Sequence, residues 1–506
     1  QADLDDFAAK GVAGTIAHRF GPGVTARAGV ELRNPGDMTL DTDLDLHALM
    51  QGRDGASGIL TLRAGGDLTF WGSLSDGFTT VDGNTLAGGD SWSYRLVAGA
   101  DLSGADPLAL LAAGGLAAGK GSVVVDSVTA NRALRIRTGT GDINIAAAGD
   151  FVLGARSDTN LGPDFFTPIP QAVVYTAGQP IAGVPGGLLD PARYPDAAFP
   201  TGGGDISIGA RGSLYGVPSA QVITDYVWRQ GDANGDKGLA TAWWIDFAGF
   251  QQGVGALAGG NIELRAGDQI RNLSAAIPTV GWVSGGTVTV RNGGSLMVDA
   301  LGDIVSGVYY VGRGDATIEA GGAIKGGASV TPFEFGFPGF AQVAPRTILA
   351  GGDTAFTLRS RGDLTIETVL DPMMLPVSQR QADLSVIDLS PYGGFSSRGA
   401  GSAVSLDSIG GDVRFGNDGN TVASMIVGPT NGMNSAAASY TLLYPSTVHA
   451  TSFSGDILVD GGMVLTGADR GTLDLLAADD VLFRPNGDPT DSRSYKVQLV
   501  GMADAR

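Results

Sequence analysis

A short phrase, glycine-aspartate followed by an apolar-polar-apolar triplet, constrains this chain more than any other feature. It reads Gly66-Asp67-Leu68-Thr69-Phe70 and returns at Gly141-Asp142-Ile143-Asn144-Ile145, Gly204-Asp205-Ile206-Ser207-Ile208, Gly362-Asp363-Leu364-Thr365-Ile366 and Gly411-Asp412-Val413-Arg414-Phe415. Looser copies begin at Asn261, Thr287, Ser295 and Thr472. Alternation of this kind marks a short strand with one buried face, and a recurring unit marks a solenoid or array. Positions such as Asp142 and Asp150, or Ser295 and Asp303, stand eight residues apart. That step holds a strand of about four or five residues and a tight turn. Glycine is expected to supply positive φ in the turn, and aspartate to accept backbone N–H groups two residues on.

Two architectures satisfy this pattern, an antiparallel meander and a parallel β-helix. Two-residue hairpins favour Asn-Gly or Asp-Gly, whereas here Gly-Asp leads into each strand, as a bend between faces of a coil requires. The reading is therefore all-β: a parallel β-helix, a solenoid with long loop insertions. Pairs such as Leu68/Phe70, Ile143/Ile145, Ile206/Ile208, Val288/Val290 and Leu364/Ile366 are expected to stack inward. About 15 to 18 coils at about 4.8 Å each predict a rod of roughly 70–85 Å.

Glycine is abundant, at 81 of 506 residues, yet apolar residues still make 43%. A disordered glycine-rich chain lacks that content, so the glycines punctuate structure. The net charge of −20 opposes binding to nucleic acid or anionic lipid. Without cysteine there are no disulfides or thiolate metal sites. No apolar run is long enough for a transmembrane helix. The chain begins at Gln1 with no signal-peptide pattern and reads as a piece of something longer.

The phrase divides the chain into an N-terminal segment, 1–57, and coils over 58–155. A proline-rich insertion follows over 156–200. Coils resume over 201–420 with insertions at 217–256, 328–346 and 371–400, and 421–506 forms further β-rich coils or a cap. Loops of such length are usually functional or disordered.

Longer, non-repetitive phrases resemble the large exoproteins of the filamentous haemagglutinin family, in a region of unknown function. They are Gly72-Ser-Leu-Ser-Asp-Gly-Phe78, Ser91-Trp-Ser-Tyr-Arg-Leu-Val-Ala-Gly-Ala-Asp-Leu102, Gln252-Gly-Val-Gly-Ala-Leu-Ala-Gly-Gly-Asn-Ile262 and Asn272-Leu-Ser-Ala-Ala-Ile-Pro278. The resemblance covers about residues 29 to 420. It implies a right-handed β-helix in a secreted or surface-displayed bacterial protein that crosses the outer membrane through a partner β-barrel, the two-partner secretion route. It also implies a non-catalytic role in adhesion, aggregation or fibre and layer assembly, including biofilm, with self-association or a glycan or cell-surface ligand. The family's N-terminal secretion module and a C-terminal toxin signature are not found in this sequence, and the family supplies no catalytic residues for this region.

Asp232, Asn234, Asp236 and Gly238 space oxygen donors as a calcium loop does, which would make calcium the one cofactor. Lys237 stands where such loops carry glycine, and Trp243 where they carry a bidentate acid. The alternative is a polar turn. Trp228, Trp243 and Trp244, with the run Phe333, Phe335, Phe337 and Phe340, form a candidate surface for a sugar or a protein partner, or else pack the insertions onto the rod. Asp41, Asp43 and Asp45 would share one strand face. Arg313-Gly314-Asp315 and Arg361-Gly362-Asp363 spell an integrin-binding tripeptide but coincide with the repeat turn. His18, His47 and His449 lie far apart and belong to no motif. The competing function is a polysaccharide lyase or glycoside hydrolase built on a β-helix, which needs a carboxylate pair or a base beside acidic ligands.

Overall fold

The computed structural model describes residues 28–50, 57–155, 171–218, 221, 223–231, 239–327, 347–375, 395–417, 443–485 and 500–502. Their strands wind into a parallel β-helix with three faces per turn. The first face runs from Ala28–Asn34 through Gly58–Ala64 and Ser93–Ala98 to Thr447–Ser452 and Thr472–Ala477. The second runs from Met38–Leu40 and Leu68–Phe70 to Ile457–Asp460 and Val481–Arg484. The third carries Leu44–Asp45, Leu134–Thr138, Ala172–Thr176, Ala275–Ile277 and, at its far end, Met463–Leu465 and Val500–Met502. Every ladder between turns is parallel, which excludes the meander.

Twelve strands stack on the first face, so the described rod is roughly 55 Å long at about 4.8 Å per turn. The turns differ widely in length. Ser295 and Asp315 are equivalent across 20 residues, whereas Asp142 and Asp205 are equivalent across 63. The first turn already occupies 28–45, inside the expected N-terminal segment, and the described strands after 443 continue the coils. Ala172–Thr176 and Gly253–Ala256 are rod strands inside stretches expected to be insertions.

Inward positions form continuous columns. On the second face Met38, Leu68, Val123, Phe151, Leu214, Ile270, Ile304, Ile324, Leu364, Val413, Ile457 and Val481 lie one above another. From Leu68 to Ile457 each is buried, and burying one such side chain contributes about 1.5–3 kcal/mol. Leu68/Phe70, Ile143/Ile145, Ile206/Ile208 and Leu364/Ile366 point inward as expected.

One expected pair does not. Thr279–Ser284 and Thr287–Asn292 form an antiparallel hairpin closed by Gly285-Gly286, both at positive φ. Val288 is consequently 61% exposed, and Val290 packs against a flanking cluster. Gly-Gly is a strong two-residue hairpin signal, and here it outweighs the alternation.

The Gly-Asp phrase also has a different physical cause from the one expected. The carboxylate does not cap its own turn; it reaches up to the next one. Asp37 accepts the N–H of Asp67 at 2.9 Å, Asp150 that of Ser213 at 2.9 Å, and Asp303 that of Ala323 at 2.8 Å. Nearer the C-terminus Asp363, Asp412 and Asp456 accept the N–H groups of Asp412, Asp456 and Asp480 at 3.0, 2.9 and 2.9 Å. A second ladder, at the corner entering the first face, joins Ser93, Asp142, Asp205, Asn261 and Ser295. The preceding glycines are not at positive φ in the five strict copies; at four of them, Gly66, Gly141, Gly204 and Gly411, space requires glycine. A Cβ on Gly66, Gly212, Gly322 or Gly411 would fall under 3.0 Å from the carboxylate of the turn below.

Candidate interaction surfaces

Long connections leave the rod unevenly. With 99–122 excepted, they depart at the two corners that flank the third face. Two of them form there a four-stranded antiparallel sheet of Val227–Gln230, Ala242–Ile245, Thr279–Ser284 and Thr287–Asn292. Two insertions from different turns therefore build one flanking layer. The third face is correspondingly apolar on both sides: Val174 points into the rod, while Val173 and Tyr175 are buried under the flank with Ala276, Tyr310, Ile348 and Leu370. Such a strand reads as an unbroken apolar run, as in Ala172–Thr176, rather than as an alternation.

The tryptophans are the core of this flank. Trp228, Trp243, Trp244 and Trp282 are between 1% and 8% exposed, so they offer no stacking face to a sugar or partner. Trp228, Trp244 and Trp282 pack beneath the segment that carries Ile181, Tyr194 and Phe199. Tyr194 meets the edge of Trp244 at 4.8 Å between centroids. Trp243 turns to the rod side and donates to Thr279 Oγ1. Trp228 likewise satisfies its buried indole N–H locally, donating to the Asp225 carbonyl at 2.8 Å.

At the joint between rod and flank stands Arg137, which is fully buried. It donates to Ser75 Oγ and Tyr175 Oη and to the carbonyls of Thr80 and Val81, and its guanidinium lies 3.7 Å from the centre of the Phe78 ring. Asp76 sits close by and accepts the N–H groups of Gly77 and Trp92 at 2.7 Å each. Burial raises the Asp76 carboxyl above the ordinary carboxylate range, against the pull of those two N–H groups. Sequence reasoning missed Arg137, since an arginine at an outward strand position normally reads as solvated. Phe78 and Ser91-Trp92 from the non-repetitive phrases lie at this joint.

Other candidates resolve simply. Asp232, Asn234, Asp236 and Gly238 lie outside the described residues, between two strands of the flanking sheet, and Phe333, Phe335, Phe337 and Phe340 also lie outside them. Among the described residues no group of three or more acidic or histidine side chains is placed to hold a metal ion. Of Asp41, Asp43 and Asp45, only Asp45 is on a strand, so the three do not share a strand face. Asp43 accepts the N–H of Ser73 and pairs with Arg132, which holds its carboxyl below the ordinary range. Asp363 is a rung of the ladder, while Arg313 donates to the Asn292 carbonyl and Asp315 accepts from Ser295. His449 faces Asp474 at 2.9 Å on the first face. No described helix is long and apolar enough to cross a membrane. Comparison with protein-family models, with curated proteins and with solved structures found no match to this chain.

Proposed function

We propose that this chain is a structural module of a secreted or surface-displayed bacterial exoprotein, of the kind the filamentous haemagglutinin resemblance implies. Its role is non-catalytic: adhesion, aggregation or assembly of an extracellular fibre or layer. The observation that carries this reading is the carboxylate ladder. The aspartates that dominate the repeat are bound turn to turn to backbone N–H groups, so they stiffen a rod. That rod holds a rigid flanking layer on one side and a polar first face on the other. On that face Arg359 lies between Glu319 and Asp407. A stiff scaffold with one decorated side suits multivalent contact, in which fixed spacing multiplies weak affinities.

Self-association belongs to the same reading. In the last described long strands, Val481 and Phe483 occupy inward register yet are 37% and 44% exposed. A further coil, from a longer parent chain or from a second copy, would cover them and pair the strand edges. Export through a partner β-barrel is proposed for the parent protein, and calcium for the loop at 232–238. The test is incubation with a panel of bacterial and host polysaccharides, followed by product analysis, binding measurement and electron microscopy. Binding or filament formation without turnover supports the structural reading. Release of shortened or unsaturated saccharides refutes it in favour of a lyase or hydrolase.

A further inference from the structure

A cleft of about 740 Å³ opens at the corner between the third and first faces, late in the rod. One wall is the segment 396–400 and the other the turn 466–470, with Ser446 at the base. Both walls are held in place. The first is pinned by the buried Asp371, whose carboxylate accepts from Met373 N, Ser396 Oγ, Ser397 N and Ser397 Oγ. The second is tied to the turn below through Thr466 N to the Tyr444 carbonyl and Thr472 N to the Ser446 carbonyl.

The two arginines of the cleft are unusual for so acidic a chain. Arg398 anchors Nη2 on the carbonyls of Val369 and Leu443, and its buried Nε has no partner. Arg470 is exposed at the rim. Among the described residues neither forms an ion pair, although acidic residues outnumber basic ones by 52 to 32. Burial lowers Arg398 to about 10, which leaves it cationic at neutral pH. No aromatic or large apolar side chain lines the cleft. Ser446 and Thr466 supply hydroxyls instead, and Asp469 a carboxylate acceptor.

We propose that this cleft binds a sugar acid, a hexuronate residue of an acidic polysaccharide. Its carboxylate lies against Arg398 and Arg470, and its ring hydroxyls exchange hydrogen bonds with Thr466 and Asp469. The arginine fork matches a carboxylate in shape as well as charge, and the volume falls in the range of small-ligand sites. The inference stands apart from the structural role proposed above, and an enzyme or a scaffold would carry the cleft equally well.

Titration calorimetry of the full chain with trigalacturonate tests it, with maltotriose, acetate and inorganic sulfate as separate probes. Saturable binding of trigalacturonate at about millimolar strength is expected, with none to maltotriose. Arg470→Gln should weaken it about tenfold while leaving the thermal midpoint unchanged, and Arg398→Lys should weaken it with the charge retained. No saturable binding, equal binding by the Arg470→Gln protein, or equal binding of acetate or sulfate would each overturn the proposal.

Discussion

Replacing Asp412 probes what the repeat is for. Its Oδ1 accepts the N–H of Asp456 at 2.9 Å, and its own N–H donates to Asp363 at 3.0 Å. A hydrogen bond to a charged acceptor contributes about 1.5–3 kcal/mol net. Against this, carboxylates stacked at the turn spacing of about 4.8 Å repel by about 0.9 kcal/mol per neighbour in water, and Asp412 has two. Asp412→Ala loses the bond but relieves the repulsion, so a net destabilisation of between about 0 and about 1.3 kcal/mol is expected. Asp412→Asn keeps a neutral acceptor, worth about 0.5–1.5 kcal/mol, and relieves the same repulsion, so it should be near neutral. The rod already contains this solution, since Asn261 accepts the Ser295 N–H at 2.9 Å. Gly455→Ala is the complementary change. A Cβ there would fall under 3.0 Å from Asp412 Oδ1 and push the carboxylate off its rung without altering Asp412 itself.

Because a solenoid need not unfold in one step, amide hydrogen exchange is the better assay, read at Asp456. Protection there should fall in Asp412→Ala and in Gly455→Ala and persist in Asp412→Asn. Unchanged exchange at Asp456 in both of the first two variants would refute the ladder. Equal destabilisation by Asn and Ala would refute the balance of charge and repulsion.

Trp244→Ala should cost about 3–5 kcal/mol, the range for a buried aromatic, and the loss should stay local. Exchange protection would vanish at Val227–Gln230 yet persist at the rod strand Ile262–Ala266. Arg137→Lys should destabilise the joint by about 1–3 kcal/mol, since an ammonium cannot serve four acceptors in the plane of a guanidinium; loss of protection at Thr138 and Tyr175 would report it. The raised carboxyl of Asp76 contributes stability that is complete below the unfolded carboxylate pKa and is lost as pH rises through the folded value. Thermal midpoints from pH 3 to 7 should therefore fall more with rising pH in the parent than in Asp76→Asn. Asp43 works oppositely, its contribution being present above the unfolded pKa and lost as pH falls through its depressed folded value. Arg132→Gln should shrink that acid-side loss.

How much was legible depends on the range of the interaction concerned. Alternation of apolar residues is local, so Leu68/Phe70 and Ile206/Ile208 declared their inward faces, and Gly-Asp before each strand separated a coil from a meander. The reason for Gly-Asp was not local. It depends on which residue lies one turn below, 20 to 63 positions away in sequence. The tryptophans were visible as a cluster, but their burial was decided by a cover contributed from 181–199 and by a hairpin from 279–292. An unbroken run such as Ala172–Thr176, with Tyr175 outward, was the available sign that the third face is covered on both sides. Arg137 and the pair Arg398 and Arg470 left no such sign.

By itself, then, the sequence determined an all-β solenoid, because period-two alternation with a repeated turn has few other ways to bury its apolar face. Tertiary structure decided the rest: the number of turns, the joining of two insertions into one sheet, and the choice of which carboxylates and arginines are engaged. Those outcomes depend on what stands 4.8 Å away along the axis, and a linear pattern does not carry that neighbour.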